Sequence, residues 1–216
     1  TELKQLAQIL LRTPHVFILT DDIYEHIYWG DQPFKNILNV CPELANRTLV
    51  LNGCSKAYAM TGWRIGYAAG PKTIIRGMMN LQSQSTSNPN SIAQFAATAA
   101  LTGQQTDVLH MNKIYHWRHD FFVAELNKIP GIHCLPAQGA FYSFPSFHAF
   151  IGEDKPFASD YELADFLLNN AHVAVVPGSA FGAPGYLRLS YALEETLLEK
   201  ALLQLKTTLM NAMPLT

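Results

Sequence analysis

Four stretches of this sequence hold residue types that can do chemistry, and the most telling is a lysine just past an apolar run. Thr48-Leu49-Val50-Leu51 reads as a buried strand bounded by Asn52-Gly53, and Lys56 follows it. Desolvation at such a strand end disfavours an ammonium, and this is how an amine becomes a nucleophile towards a carbonyl. Arg64 comes eight positions later. A planar guanidinium there can hold a phosphate bidentately, as an ammonium cannot. Upstream, Val16-Phe17-Ile18-Leu19-Thr20 ends in Asp21-Asp22, with Tyr24 and Glu25 beyond. In an open α/β sheet, ligands gather at the carboxyl ends of strands. Near the far end, Arg188 stands inside the alternating run Tyr186-Leu187-Arg188-Leu189-Ser190-Tyr191, where a charge needs an anion. Each has a plainer reading: Lys56 on an exposed turn, Asp21 and Asp22 as a helix N-cap or solvated turn, Arg188 in a structural ion pair.

The elements that must position these groups alternate between helix and strand. Leu3, Leu6, Ile9 and Leu10 predict an amphipathic helix over Thr1 to Arg12, broken before Pro14. The continuous run at 16–20 predicts a strand buried on both faces of a parallel sheet. Asn39 to Asn46 is expected to be a loop with a short helical turn. Thr61-Gly62 breaks the chain, and 63–70 predicts another strand, with Trp63 packed in the core. Pro71 opens a helix whose apolar face is Ile74, Ile75, Met78, Met79 and Leu81. A polar loop runs from Gln82 to Ser91, an alanine-rich helix to Leu101, and a long helix from Gln104 to Lys128. His116 and His119 lie on that helix without a third ligand, so they read as helix surface rather than a metal site. After Pro130-Gly131, strands are predicted at 132–135, 140–144, 173–176 and 186–191, and helices at 160–170 and 194–210.

Composition narrows the classes. With 15 Lys and Arg against 17 Asp and Glu, net charge is −2, so there is no basic excess for nucleic acid and no polybasic membrane patch. No apolar run is long enough for a membrane-spanning helix, and no signal peptide is visible. The three cysteines, Cys41, Cys54 and Cys134, are widely spaced with no C-x-x-C, which fits a reducing, cytoplasmic setting rather than a disulfide framework.

Asn52-Gly53-Cys54-Ser55-Lys56-Ala57-Tyr58-Ala59-Met60-Thr61-Gly62-Trp63-Arg64-Ile65-Gly66-Tyr67 resembles the cofactor-lysine segment of the class I/II aminotransferases, enzymes of fold type I that use pyridoxal 5'-phosphate (PLP). The resemblance covers nearly the whole chain and matches the C-terminal half of such an enzyme. It implies an α/β fold in three parts. Residues 1–104 would be the C-terminal part of the large, mixed-sheet PLP-binding domain, 105–128 the long interdomain helix, and 129–216 the small α/β domain. It also implies site roles. Lys56 would form the internal aldimine and act as general base and acid. Arg64 would grip the cofactor phosphate, Asp21 would pair with the pyridine nitrogen, and Tyr24 would hydrogen-bond the ring oxygen. The spacing to Tyr24 favours Asp21 over Asp22. Pro177-Gly178-Ser179 and the strand after it resemble the segment that bears the substrate α-carboxylate arginine, here Arg188. Gly139-Ala140-Phe141-Tyr142 would line the pocket.

One departure stands out. Related branches carry a cofactor-phosphate serine three residues before the lysine, where this chain has Gly53. Ser55 is the substitute candidate, or simply a small residue that lets the lysine turn. The implied reaction is transamination, with aspartate and 2-oxoglutarate as first choices. The Gln82–Pro89 run resembles a loop that crosses a dimer interface, so a homodimer of the full-length protein is implied, and this half alone is expected to be inactive. The alternatives are a PLP-dependent lyase on the same fold and a non-catalytic effector domain of aminotransferase type.

Overall fold

The computed structural model describes residues 2–212; Thr1 and residues 213–216, which the predicted first helix and the 129–216 domain include, lie outside them. The chain divides into two compact units, Thr1–Asn112 and Lys113–Thr216. The division falls inside the long helix α5, Thr106–Leu126 in the numbering used below.

In the first unit, helix α1 (Glu2–Leu11) packs Leu3, Ala7 and Leu10 against Ile37, Cys41 and Leu44. Strands β1 (Ile18–Asp21), β2 (Thr48–Gly53) and β3 (Gly66–Ala69) form a sheet in that order. β1 and β2 run parallel, with Asp21 opposite Leu51, and β3 runs antiparallel to β2, with Gly66 opposite Gly53. Parallel pairing sets the carboxyl ends of β1 and β2 at one edge of the sheet. The expectation of a strand buried on both faces fails: Phe17 is 71% and Leu19 62% exposed. β1 is an edge strand here, and only one of its faces meets a packed layer.

Between β1 and β2, Asn36 caps the short helix α2 (Ile37–Val40) in a reciprocal box with Asn39. A 3-10 segment, Pro42–Arg47, leads into β2. The Arg47 guanidinium donates to the carbonyls of Leu10, Thr13 and Val16, which ties the end of α1 to the approach of β1. Beyond the sheet come α3 (Lys72–Ser83) and α4 (Ser91–Thr102, capped by Asn90). The predicted apolar face of α3 is largely open, with Met79 64% and Leu81 77% exposed. On α4 the small side chains do the packing: Ala96, Ala97 and Ala100 meet Cys54, Tyr58, Met60 and Ile65.

In the second unit, β4 (Tyr142–Ser143), β5 (Val176–Pro177) and β6 (Leu187–Ser190) form an antiparallel sheet with β6 in the middle. Helix α6 (Asp160–Phe166) continues into a π-helical turn at Leu167–Ala171, and α7 (Glu195–Ala212) is the last element among the described residues. Phe147, Phe150, Leu163, Leu187, Tyr191, Leu198 and Leu205 are its buried centre. Three predicted strands shrink, 140–144 to Tyr142–Ser143 among them. Around 132–135 only a bridge from His133 to Ser146 forms. The backbone of Cys134 is instead met by the Asn127 side-chain amide, which both donates and accepts at 2.9 Å. Of 173–176 only Val176 is in a strand, because the Val173 N–H turns back to the Leu167 carbonyl.

Candidate active site

Lys56 lies in the turn that follows β2. Two backbone bonds close that turn, Ala59 N–H to the Lys56 carbonyl at 3.1 Å and Met60 N–H to the Cys54 carbonyl at 3.3 Å. Fully buried Cys54 and the alanines of α4 hold it from below. The Tyr58 hydroxyl donates to Gln105 Oε1 at 2.9 Å, a second tie. Burial raises the pKa values of the Cys54 thiol and the Tyr58 phenol, so both favour their neutral forms. The Lys56 side chain is half-buried, and its Nζ sits 5.7 Å from the centre of the Tyr24 ring. The turn after β1 and the turn after β2 thus meet at the shared carboxyl edge. A link between Asn52 Nδ2 and Glu25 Oε1, 2.7 Å long, fastens them further.

The two acids at the end of β1 divide their work. Asp22 is buried and fully engaged: Thr20 Oγ1 and Asn36 Nδ2 each donate to it at 2.6 Å. It is a structural pivot. Asp21 is exposed, accepts from the Ile23 N–H at 3.3 Å, and lines a cleft of about 470 Å³ with Leu51, Tyr67, Ala68 and residues of α3.

Arg64 follows a 3-10 turn, Thr61–Trp63, and has left-handed backbone angles, φ 52° and ψ 50°. Ala59 shares that region at φ 52°. Left-handed non-glycine residues are strained, and such strain clusters at functional sites. The guanidinium donates to the Thr61 carbonyl at 3.0 Å, and no carboxylate meets it among the described residues. With Gln82, Thr86 and Asn88 of the polar loop it lines a cavity of about 740 Å³. Asp21 and Arg64 therefore line separate cavities, which share Gln82. Trp63, expected in the core, is 46% exposed on the wall of the Arg64 cavity. The short 3-10 turn carries it outward.

Ser55 is half-buried next to Lys56, with no hydrogen bond to its hydroxyl among the described residues. The glycine before it has a packing reason. A Cβ on Gly53 would lie 3.1 Å from the Ile65 carbonyl and 3.2 Å from Gly66 Cα, where β2 and β3 approach most closely.

Arg188 belongs to the second unit, at the middle of β6. Its Cζ lies 4.6 Å from the centre of the Tyr142 ring and 4.9 Å from that of Phe181. No carboxylate pairs with it among the described residues. Ring faces stabilise the charge without using its in-plane N–H donors, so a half-buried guanidinium is held with its edge available to an anion. His119, expected on a helix surface, is 2% exposed. Its Nε2 accepts from the Ala137 N–H at 2.8 Å, and Nδ1 lies 2.9 Å from Asp120, so it is an internal strut.

Known proteins resemble this chain over most of its length. The family model for aminotransferase class I and II matches residues 1–205. The chain belongs to that family. An aspartate/prephenate aminotransferase of Nitrosomonas europaea is 49% identical over 213 residues, covering 96% of this chain and 54% of that protein. An aspartate aminotransferase of Rhizobium meliloti is 46% identical over 203 residues, covering 92% and 50%. A crystal structure of the aspartate aminotransferase from Rhizobium meliloti superposes with TM-score 0.88 at 45% identity, over 94% of this chain and 52% of that one. That of the Thermus thermophilus enzyme with maleate gives 0.84 at 37%, over 95% and 51%. The chain spans about half the length of the curated relatives it matches. Its fold is therefore the C-terminal part of the class I/II aminotransferase fold. No helix among the described residues is long and apolar enough to cross a membrane.

The donor set fits PLP: an amine beside a phenol at one strand edge, an exposed carboxylate ending the neighbouring strand, and a guanidinium without a carboxylate partner.

Proposed function

We propose that this chain is the C-terminal half of a PLP-dependent aminotransferase that moves the amino group of an L-amino acid to a 2-oxo acid. Aspartate and 2-oxoglutarate are the first-choice pair. The observation that carries this reading is the meeting of Lys56 and Tyr24 at the carboxyl edge of β1 and β2. PLP, when bound, supplies an electrophilic aldehyde and a cationic ring that takes up the electron pair left at the substrate α-carbon.

The chain's own residues would do the rest. Lys56 Nζ would hold the cofactor through its aldehyde and, once the substrate amine has displaced it, would take the α-proton and return it as general base and acid. Asp21 would pair with the ring nitrogen. The Tyr24 hydroxyl bonds the ring oxygen. Arg64 would hold the phosphate through its guanidinium, and Ser55 is a further candidate there. Arg188 takes the substrate's α-carboxylate, a group that donor and acceptor share, so one residue serves both half-reactions. A homodimer is proposed for the intact enzyme, with the Gln82–Pro89 run at the interface.

The experiment is transamination by the intact enzyme over a panel of amino donors with 2-oxoglutarate as acceptor. Prephenate is added as a second acceptor, because several relatives are named aspartate/prephenate aminotransferases. Turnover with aspartate that vanishes in Lys56→Ala is expected. Absence of aspartate turnover while other donors react would overturn the substrate choice, and turnover surviving in Lys56→Ala would overturn the role of the lysine.

A further inference from the structure

We infer that Asp160 and Ser179 form a buried brace that sets the position of the Arg188 guanidinium, and so act as positioning residues for carboxylate recognition. This rests on the reading of Arg188 as the group that binds the α-carboxylate.

Asp160 is 2% exposed, at the start of α6. Its two oxygens accept from the Ser179 backbone N–H at 2.6 Å and from the Ser179 hydroxyl at 2.8 Å. No Lys or Arg pairs with it among the described residues. A carboxylate is thus kept away from water to hold one serine of one short turn. That turn, Gly178–Phe181, is fixed at its first residue as well: the Gly178 N–H donates to the Tyr186 carbonyl at 2.7 Å, just before β6 begins. The fit is tight, since a Cβ on Gly178 would lie 2.2 Å from the Ala183 carbonyl and 2.6 Å from that of Tyr186. Gly182, at φ 72°, closes the turn.

Two residues past Ser179, the turn delivers Phe181. Phe181 is half-exposed, yet its ring is placed 4.9 Å from Arg188 Cζ and edge-on to Phe144, 6.0 Å between centres. Phe144 in turn stacks on Tyr186 at 5.2 Å. An exposed aromatic on a four-residue turn would otherwise sample several rotamers. The brace removes that freedom, and Phe181 with Tyr142 fixes the plane of the guanidinium. Bidentate recognition depends on that plane.

The test uses the intact enzyme and its steady-state kinetics with aspartate and 2-oxoglutarate. Ser179→Ala removes one bond of the brace, and Phe181→Leu removes the ring while keeping an apolar side chain at a half-exposed site. Each is expected to raise KM for both substrates by the same factor, about tenfold, with kcat changed less than about twofold. Ser179→Thr keeps the hydroxyl and should restore KM. In an Arg188→Gln background neither change should add anything. If Arg188→Gln raises KM while Ser179→Ala and Phe181→Leu leave it alone, the brace is wrong and the reading of Arg188 stands. If Arg188→Gln itself leaves KM unchanged, the reading of Arg188 fails and the brace with it. A fall in kcat with KM unmoved, or effects that add to Arg188→Gln, would reduce Asp160 and Ser179 to fold support and overturn the proposal.

Discussion

Replacing Arg188 by glutamine separates a substrate-binding arginine from a structural one. The guanidinium meets two ring faces and no carboxylate among the described residues. Its loss should therefore cost the fold only two cation–π contacts, about 1–2 kcal/mol in total. Breaking a buried ion pair would instead cost about 3–5 kcal/mol. The cost to binding runs the other way. A bidentate carboxylate contact consists of two charge-assisted hydrogen bonds of about 1.5–3 kcal/mol each, so the loss is about 3–6 kcal/mol. At about 1.4 kcal/mol per decade, kcat/KM should fall by about 10²–10⁴. The fall should be alike for amino donor and oxo-acid acceptor, because both present the same carboxylate. The assay is kcat/KM for each substrate in the intact enzyme, with chemical denaturation beside it. A change below tenfold in kcat/KM, or a stability loss above about 3 kcal/mol, would refute the reasoning and return Arg188 to a structural role.

Other consequences can be measured on the same enzyme. Arg47→Met removes three donors from the carbonyls that end α1 and precede β1, and should loosen α1 by about 2 kcal/mol, read as faster hydrogen exchange at Glu2–Leu11. Gly53→Ser should destabilise by about 1–3 kcal/mol because its Cβ crowds the β3 backbone; a stabilised protein would contradict this. Tyr191 is fully buried, and burial pushes its phenol pKa far up. The folded state then keeps a proton that the unfolded chain loses above about pH 10, so this contribution to stability is full below that pH and declines as pH rises beyond it. Tyr191→Phe should flatten the alkaline limb of stability against pH, by up to about 1.4 kcal/mol per pH unit, and an unchanged slope would count against it.

The placement of several candidate residues was legible because they sit in short runs. Asp21 ends β1, and Tyr24 and Lys56 lie in the turns after β1 and β2, where an apolar run meets a turn. Packing was less legible. Nothing in Asp21-Asp22 says that Asp22 is the buried one; that follows from Asn36, fourteen residues away. Phe17 and Leu19 look like interior residues of a doubly covered strand, but a run of side chains does not say how many layers meet them. His119 looked like helix surface because its partner, the Ala137 N–H, is a backbone group and has no signature in side-chain type. The rings around Arg188 come from segments 46 residues before it, at Tyr142, and seven before, at Phe181, so no single window showed the clamp. The left-handed turns at Ala59 and Arg64 fall on residues that rarely adopt them, which is why a strand was expected from Trp63 onward.

The most direct measurement is borohydride reduction of the intact enzyme incubated with PLP, followed by peptide mapping. The account predicts one pyridoxyl group, on the peptide that carries Lys56, and none after Lys56→Ala. A label on another lysine, or no label while transamination proceeds, would contradict it.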